Sequence, residues 1–114
     1  MDTLPIINRV YDLYKAVAGI VAHAEKRWRF SLGQSLEKSV LDCLGELIMA
    51  KNAPKPMKAA YLIRAGAHQE TAVLKLRLFL ELNIANETKI FQAQSAALEI
   101  GRMLGGWLKS VQST

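Results

Sequence analysis

The run Lys26-Arg27-Trp28-Arg29-Phe30 interleaves cations with aromatic rings, a combination that can stack unpaired bases and grip phosphate. The alternative is an aromatic plug, with Trp28 and Phe30 closing one end of a hydrophobic core. A second basic group lies further on. Between residues 51 and 77, Lys51, Lys55, Lys58, Arg64, Lys75 and Arg77 stand against Glu70 alone, and this segment holds the whole formal excess of +5. Residues 1–50 carry six basic and six acidic side chains, and residues 78–114 three of each, so both ends are neutral. A basic middle attracts polyanions through long-range steering and counterion release; the alternative is a solvated Lys/Arg face. On a helix, Arg64, His68, Thr71 and Lys75 share one polar face. Arg77 projects elsewhere, near Glu70 and Glu81, and its alternative is an i, i+4 ion pair with Glu81.

Other chemistry lacks the spacing it needs. Ser31, Ser35 and Ser39 have no Gly-x-Ser-x-Gly turn around them, and no glycine-rich phosphate loop is present. His23 and His68 fall on different predicted helices without an acidic or histidine partner at ligand spacing. Cys43 sits in an apolar stripe, as a small core hydrophobe does, and Asp12 and Glu46 are isolated carboxylates. The expectation is a protein without catalytic residues, metal or cofactor.

The elements that position these residues read as helices throughout. The 114 residues suit a single domain, residues 1–114, and 51% hydrophobic with 22% charged side chains is a globular balance. Apolar residues at three-and-four spacing predict helices over about 4–26, 32–52, 57–82 and 87–112. The first has the stripe Ile7, Val10, Tyr11, Tyr14, Val17, Ala18 and Val21, with Thr3 as N-cap and Pro5 in the first turn. Ser31 with Gln34 reads as a capping box for the second, whose stripe is Leu36, Val40, Cys43, Leu44 and Leu47. Ala53-Pro54-Lys55-Pro56 breaks the chain, and Asn86 caps the fourth helix. Short loops between four helices of similar length predict an all-α, up-down-up-down antiparallel four-helix bundle. Stretches without Asp, Glu, Lys or Arg reach only nine residues, against about 20 for a membrane span, and no signal peptide opens the chain. With a lone cysteine, the expected location is cytoplasmic, away from membranes.

Two helices carry more apolar surface than one core uses. On the third, Tyr61, Leu62, Ala65, Ala72, Leu76, Phe79 and Leu80 form one stripe, while Ile63, Ala67, Leu74 and Leu78 form another. On the fourth, Phe91, Leu98, Gly101 and Gly105 make a second line beside Ile90, Ala93, Ala97, Ile100, Leu104, Trp107 and Val111. Glycine in a helix interior costs about 1 kcal/mol relative to alanine, so Gly101, Gly105 and Gly106 imply close helix contact, within the chain or with another copy. Ile63, Ala67, Leu74, Leu78, Leu98, Gly101 and Gly105 are the candidate oligomer contacts.

The ending Ile100-Gly101-Arg102-Met103-Leu104-Gly105-Gly106-Trp107-Leu108-Lys109-Ser110 resembles that of the accessory variability determinant (Avd) proteins of bacterial diversity-generating retroelements. These belong to a wider four-helix-bundle family that includes proteins encoded in rRNA intervening sequences. Leu4-Pro5, Tyr11-Asp12, Arg29-Phe30-Ser31-Leu32-Gly33-Gln34, Ala50 with Pro54-Lys55, and Arg77-Leu78 extend the resemblance in order along the chain. It implies a homopentameric barrel that binds the element's reverse transcriptase together with RNA and cDNA, assisting mutagenic copying while the polymerase performs the catalysis. It also implies a place for Arg77 on a basic helix surface. The chain departs from the pattern at Val73 and Lys75, where a second arginine is common, and at Ala24-Glu25-Lys26, where a Pro-Lys pair is usual. The candidate nucleic-acid and partner contacts are Arg77, Lys75, Arg64, Lys58, Lys55, Lys51, Arg27 and Arg29. The other branch implies an rRNA intervening-sequence-type interaction protein of undefined role.

Overall fold

Pro5 lacks an N–H that the first turn of a helix would leave unbonded anyway, and α1 (Pro5–Ala22) starts there. The computed structural model describes residues 4–113, so the expected cap at Thr3 lies outside the described residues. The N-cap position is Leu4, which makes no side-chain cap bond. α1 buries Ile7, Val10, Val17 and Val21 of the expected stripe and adds Ile6, Leu13 and Ile20, so the buried face is shifted toward Leu13 and Ile20. Tyr11 is exposed instead, its ring 5.2 Å from the Lys15 ammonium. Leu13 and Ile20 win the core because a tyrosine placed on the boundary can keep its hydroxyl in water.

The first break falls earlier than the sequence implies. α1 ends at Ala22, where the N–H groups of His23 and Ala24 donate to Ile20 and Val21 in a tight turn. After an extended Glu25 the chain re-enters a helix at once. α2 (Lys26–Trp28) passes through a π-helical turn (Arg29–Gly33) directly into α3 (Gln34–Asn52). The cationic aromatic run therefore opens the second long helix and does not close the first. Ser31 is no cap: its hydroxyl donates back to the Arg27 carbonyl at 2.6 Å, one turn earlier in a continuous helix. Gly33 closes the wide turn. It is buried, and a β-carbon there would stand 2.7 Å from Val21 Cγ1 and 2.8 Å from the Trp28 carbonyl oxygen.

Ala53 and Pro54 separate α3 from α4 (Lys55–Glu81), which starts two residues before the expected position because Pro56 is harmless in a first turn. α4 ends on Asn83, whose φ of 54° lies in the left-handed region that asparagine tolerates. The Ile84 N–H donates to Phe79 and that of Asn83 to Leu80, so two orphan carbonyls are satisfied and Ile84 is turned into the core. Asn86 then caps α5 (Glu87–Gln112), its side-chain oxygen accepting from the Lys89 N–H at 3.0 Å. No strand forms among the described residues.

α3 packs chiefly on α4, α4 on α5, and α1 on both α3 and α5. The shared core is centred on Val10, Val17, Leu36, Leu47, Leu62, Leu76, Phe79, Ile90 and Ile100. Aliphatic side chains of this size stabilise by about 1.5–3 kcal/mol each when fully buried. The result is a rod of 47 × 23 × 19 Å in principal extent. No helix among the described residues is long and apolar enough to cross a membrane.

Candidate nucleic-acid interface

The cations of the basic middle do not form one patch. Lys58, at the start of α4, turns back over the end of α3, where its ammonium donates to the carbonyls of Ala50 at 2.7 Å and Lys51 at 3.1 Å. It satisfies the unpaired carbonyls of a helix C-terminus, where a positive charge is also favoured. Lys75 crosses to the first turns of α3, where its ammonium donates to Ser39 Oγ at 2.7 Å and to the Ser35 carbonyl at 3.1 Å. Ser39 is buried. Burial pushes the Lys75 ammonium below its usual value with help from the Lys38 charge, and the Asp42 carboxylate opposes the shift. Both lysines pin α4 to α3.

Arg64 lies between them along α4, with Nε donating to Glu46 at 3.1 Å and the guanidinium over the Tyr61 ring at 4.8 Å. Arg77 leaves this side of the helix and donates to Glu81 at 3.1 Å, one turn on. The ion pair allowed by its spacing is formed, and both partners remain exposed to water.

Four of the cations without a carboxylate partner, Lys26, Arg29, Lys51 and Lys55, lie near the two ends of α3. Lys51 and Lys55 flank the Pro54 break. Lys26 and Arg29 lie at the opposite end with Arg27, whose guanidinium stacks over Trp28 at 4.5 Å and meets Glu25 only at 3.9 Å. The 19 residues of α3 place these groups roughly 28 Å apart at about 1.5 Å per residue. Trp28 packs against the core as a plug would. Phe30 does not; it is 69% exposed.

Compared with models of protein families and with curated protein sequences, the chain matches none.

Two further cations without a carboxylate partner, Arg9 and Lys89, line a groove of about 410 Å³ between α1 and α5, together with the Asp12–Lys15 pair and the small residues Ala16, Gly19, Ala93 and Ala96. Their segments are neutral by count, so charge arithmetic hides them. The small residues spaced three apart on both helices were the available signal. Cys43 is buried, and loss of water pushes its thiol up to about 12, which leaves it protonated and unreactive at neutral pH. Among the described residues, no group of three or more His, Cys, Asp or Glu side chains is placed to hold a metal ion.

The second apolar rows do stand outside the core. On α4, Ile63 is 56% and Leu74 59% exposed, with Ala67 and Leu78 beside them; on α5, Phe91, Leu98 and Gly105 are exposed as well. Gly101 differs. The close approach expected there is made inside the chain, where a β-carbon would stand 2.8 Å from Gln69 Nε2, which donates to the Ala97 carbonyl at 2.9 Å. Leu41 and Ile48 form an exposed row on α3 that the sequence reading missed, although their separation is one of helical repeat.

Proposed function

We propose that this chain is a non-enzymatic accessory factor of a retroelement reverse transcriptase, a basic up-down-up-down bundle that self-associates and holds RNA and cDNA for the polymerase. The observation that carries the reading is two groups of cations without carboxylate partners near the ends of α3, with Lys26 and Arg29 at one end and Lys51 and Lys55 at the other. Phosphate is the partner such groups lack. The resemblance of the glycine-rich ending to Avd proteins supplies the biological setting.

The mechanism is electrostatic. Each copy contributes two separated basic clusters, and a ring of five copies brings ten such clusters to one strand, so weak contacts add through effective concentration. Phosphate contacts carry no base information, and binding is therefore tolerant of sequence. The exposed rows Ile63-Ala67-Leu74-Leu78 and Phe91-Leu98-Gly105 are the surfaces on which copies meet, while Gly101 packs within its own subunit. Lys58 and Lys75 add to the field around the bundle but keep their ammonium groups on α3. The polymerase carries the catalysis.

Anisotropy titration with labelled RNA over a salt series, paired with light scattering, tests the reading. The expected result is an oligomer at micromolar concentration that binds RNA, with log affinity falling linearly against log salt. Leu74→Glu is expected to yield a smaller folded species, because a charge at the contact surface is tolerated only in water. A parent protein that is monomeric, or that ignores RNA at low salt, refutes it.

A further inference from the structure

The backbone of the π-helical turn decides which side chains meet water. Trp28 and Leu32 pack toward the core and Gly33 is buried against Val21, so Arg29, Phe30 and Ser31 are forced to the outside. Phe30 is the most exposed of the large hydrophobic side chains among the described residues, at 69%. Lys26 and Arg27 precede it by one turn, and Arg29 adjoins it. The segment is well held: Ser31 bonds the Arg27 carbonyl, and Arg27 is stacked on Trp28. An aromatic face fixed in water by a built turn, with three cations around it, is an anion site with a stacking surface at its centre. Such turns are frequent at functional sites.

We propose that Phe30 is a stacking platform for an unpaired base of single-stranded nucleic acid, with Lys26, Arg27 and Arg29 taking the flanking phosphates. The proposal rests on the nucleic-acid reading above and adds the form of the ligand. A duplex keeps its bases stacked on one another and offers the ring only phosphates and sugars, whereas a single strand can lay a base on it. Every base has a π-face, so the platform discriminates by strandedness and not by sequence. A second copy of the same patch is disfavoured as occupant, because three cations on each side outnumber the single Glu25 carboxylate beside them.

The test compares a short labelled unstructured RNA with the duplex of the same sequence, using the full chain and the variants Phe30→Ala, Phe30→Leu and Phe30→Trp. Exposure of the ring means that all three variants should melt with the parent, which circular dichroism checks. Loss of a single base–aromatic stack weakens binding by roughly 5- to 150-fold. Phe30→Ala and Phe30→Leu are expected to lose single-strand affinity in that range with an unchanged salt slope, and Phe30→Trp to keep it. Duplex binding should stay within about twofold in every variant, since stacking does not contribute to it.

Equal weakening on single strand and duplex, or full affinity in Phe30→Leu, overturns the platform, because a merely apolar contact needs no π-face. If the parent binds RNA with the expected salt dependence and Phe30→Ala changes nothing, the platform falls and the accessory reading stands. If the parent binds neither form, both fall. Binding of an acidic protein at this patch that survives Phe30→Ala assigns its cations to another partner and also overturns the proposal.

Discussion

Lys75→Met separates two tasks that one ammonium cannot perform at once. The variant keeps the aliphatic stem and removes the donor to Ser39 Oγ at 2.7 Å and to the Ser35 carbonyl at 3.1 Å. A hydrogen bond from a charged group contributes about 1.5–3 kcal/mol. Two compensations pull the loss toward the lower end. The ammonium no longer has to be desolvated, which is what lowers its pKa, and the Ser39 hydroxyl can turn to the Ser35 carbonyl one turn back on its own helix. The expected destabilisation is therefore about 1.5 kcal/mol, or a fall in Tm of about 6 °C for a domain of this size. Thermal and urea unfolding, followed by circular dichroism, measure it. In a double-mutant cycle with Ser39→Ala, the paired loss should be smaller than the sum by about 1 kcal/mol, since each single variant already breaks the same bond. The RNA salt slope should stay near that of the parent. A variant as stable as the parent that loses about one unit of log-log slope would show that this ammonium serves phosphate, and the pinning argument would be wrong.

Ser31→Ala should leave Tm nearly unchanged, because its back-bond in an exposed helix contributes little, whereas removing a true N-cap costs about 1 kcal/mol; thermal melting decides. Gly33→Ala is expected to destabilise by about 1–3 kcal/mol in the same assay, since Val21 can yield but the Trp28 carbonyl oxygen, 2.8 Å from the new carbon, belongs to the backbone. Gly101→Ala should displace Gln69, lowering Tm without changing the oligomer mass seen by light scattering. Burial pushes the Cys43 thiol up to about 12, so at alkaline pH the unfolded chain releases its proton first and stability declines until the folded thiol titrates. Lys75, with its lowered value, acts in the opposite sense, so the alkaline slope of parent minus Cys43→Ala isolates the thiol. That slope should be flatter in the variant, and a thiol reagent at neutral pH should label Cys43 only after unfolding.

Helical class was legible because four apolar periodicities and their breaks are local properties. Pro54 removes a donor wherever it falls, and Asn86 caps from its own side chain. The stripes of α4 and α5 that face the core were also readable, since 100° per residue fixes which side chains share a face. Periodicity does not say how a helix is rolled about its axis. Tyr11 and Leu13 both fit an apolar face of α1, and packing against α3 and α5 chose Leu13. The π-helical turn had no local signature: Ser31 and Gln34 fit a capping box, and the close seat of Gly33 beside Val21 exists only once α1 packs against the turn.

The candidate site divides in the same way. Composition located an excess of positive charge between residues 51 and 77, because charge is a sum over residues. It did not reveal which charges were spent. Lys75 meets Ser35 and Ser39 across 40 and 36 positions, and Arg64 meets Glu46 across 18, pairings that exist only after α4 lies on α3. The same packing leaves Phe30 in water, sets Gly101 against Gln69, and exposes Arg9 and Lys89 from segments whose net charge is zero. The number and type of charged groups belong to the chain alone; their free or paired state depends on contacts between residues far apart in sequence, which only the tertiary structure brings together.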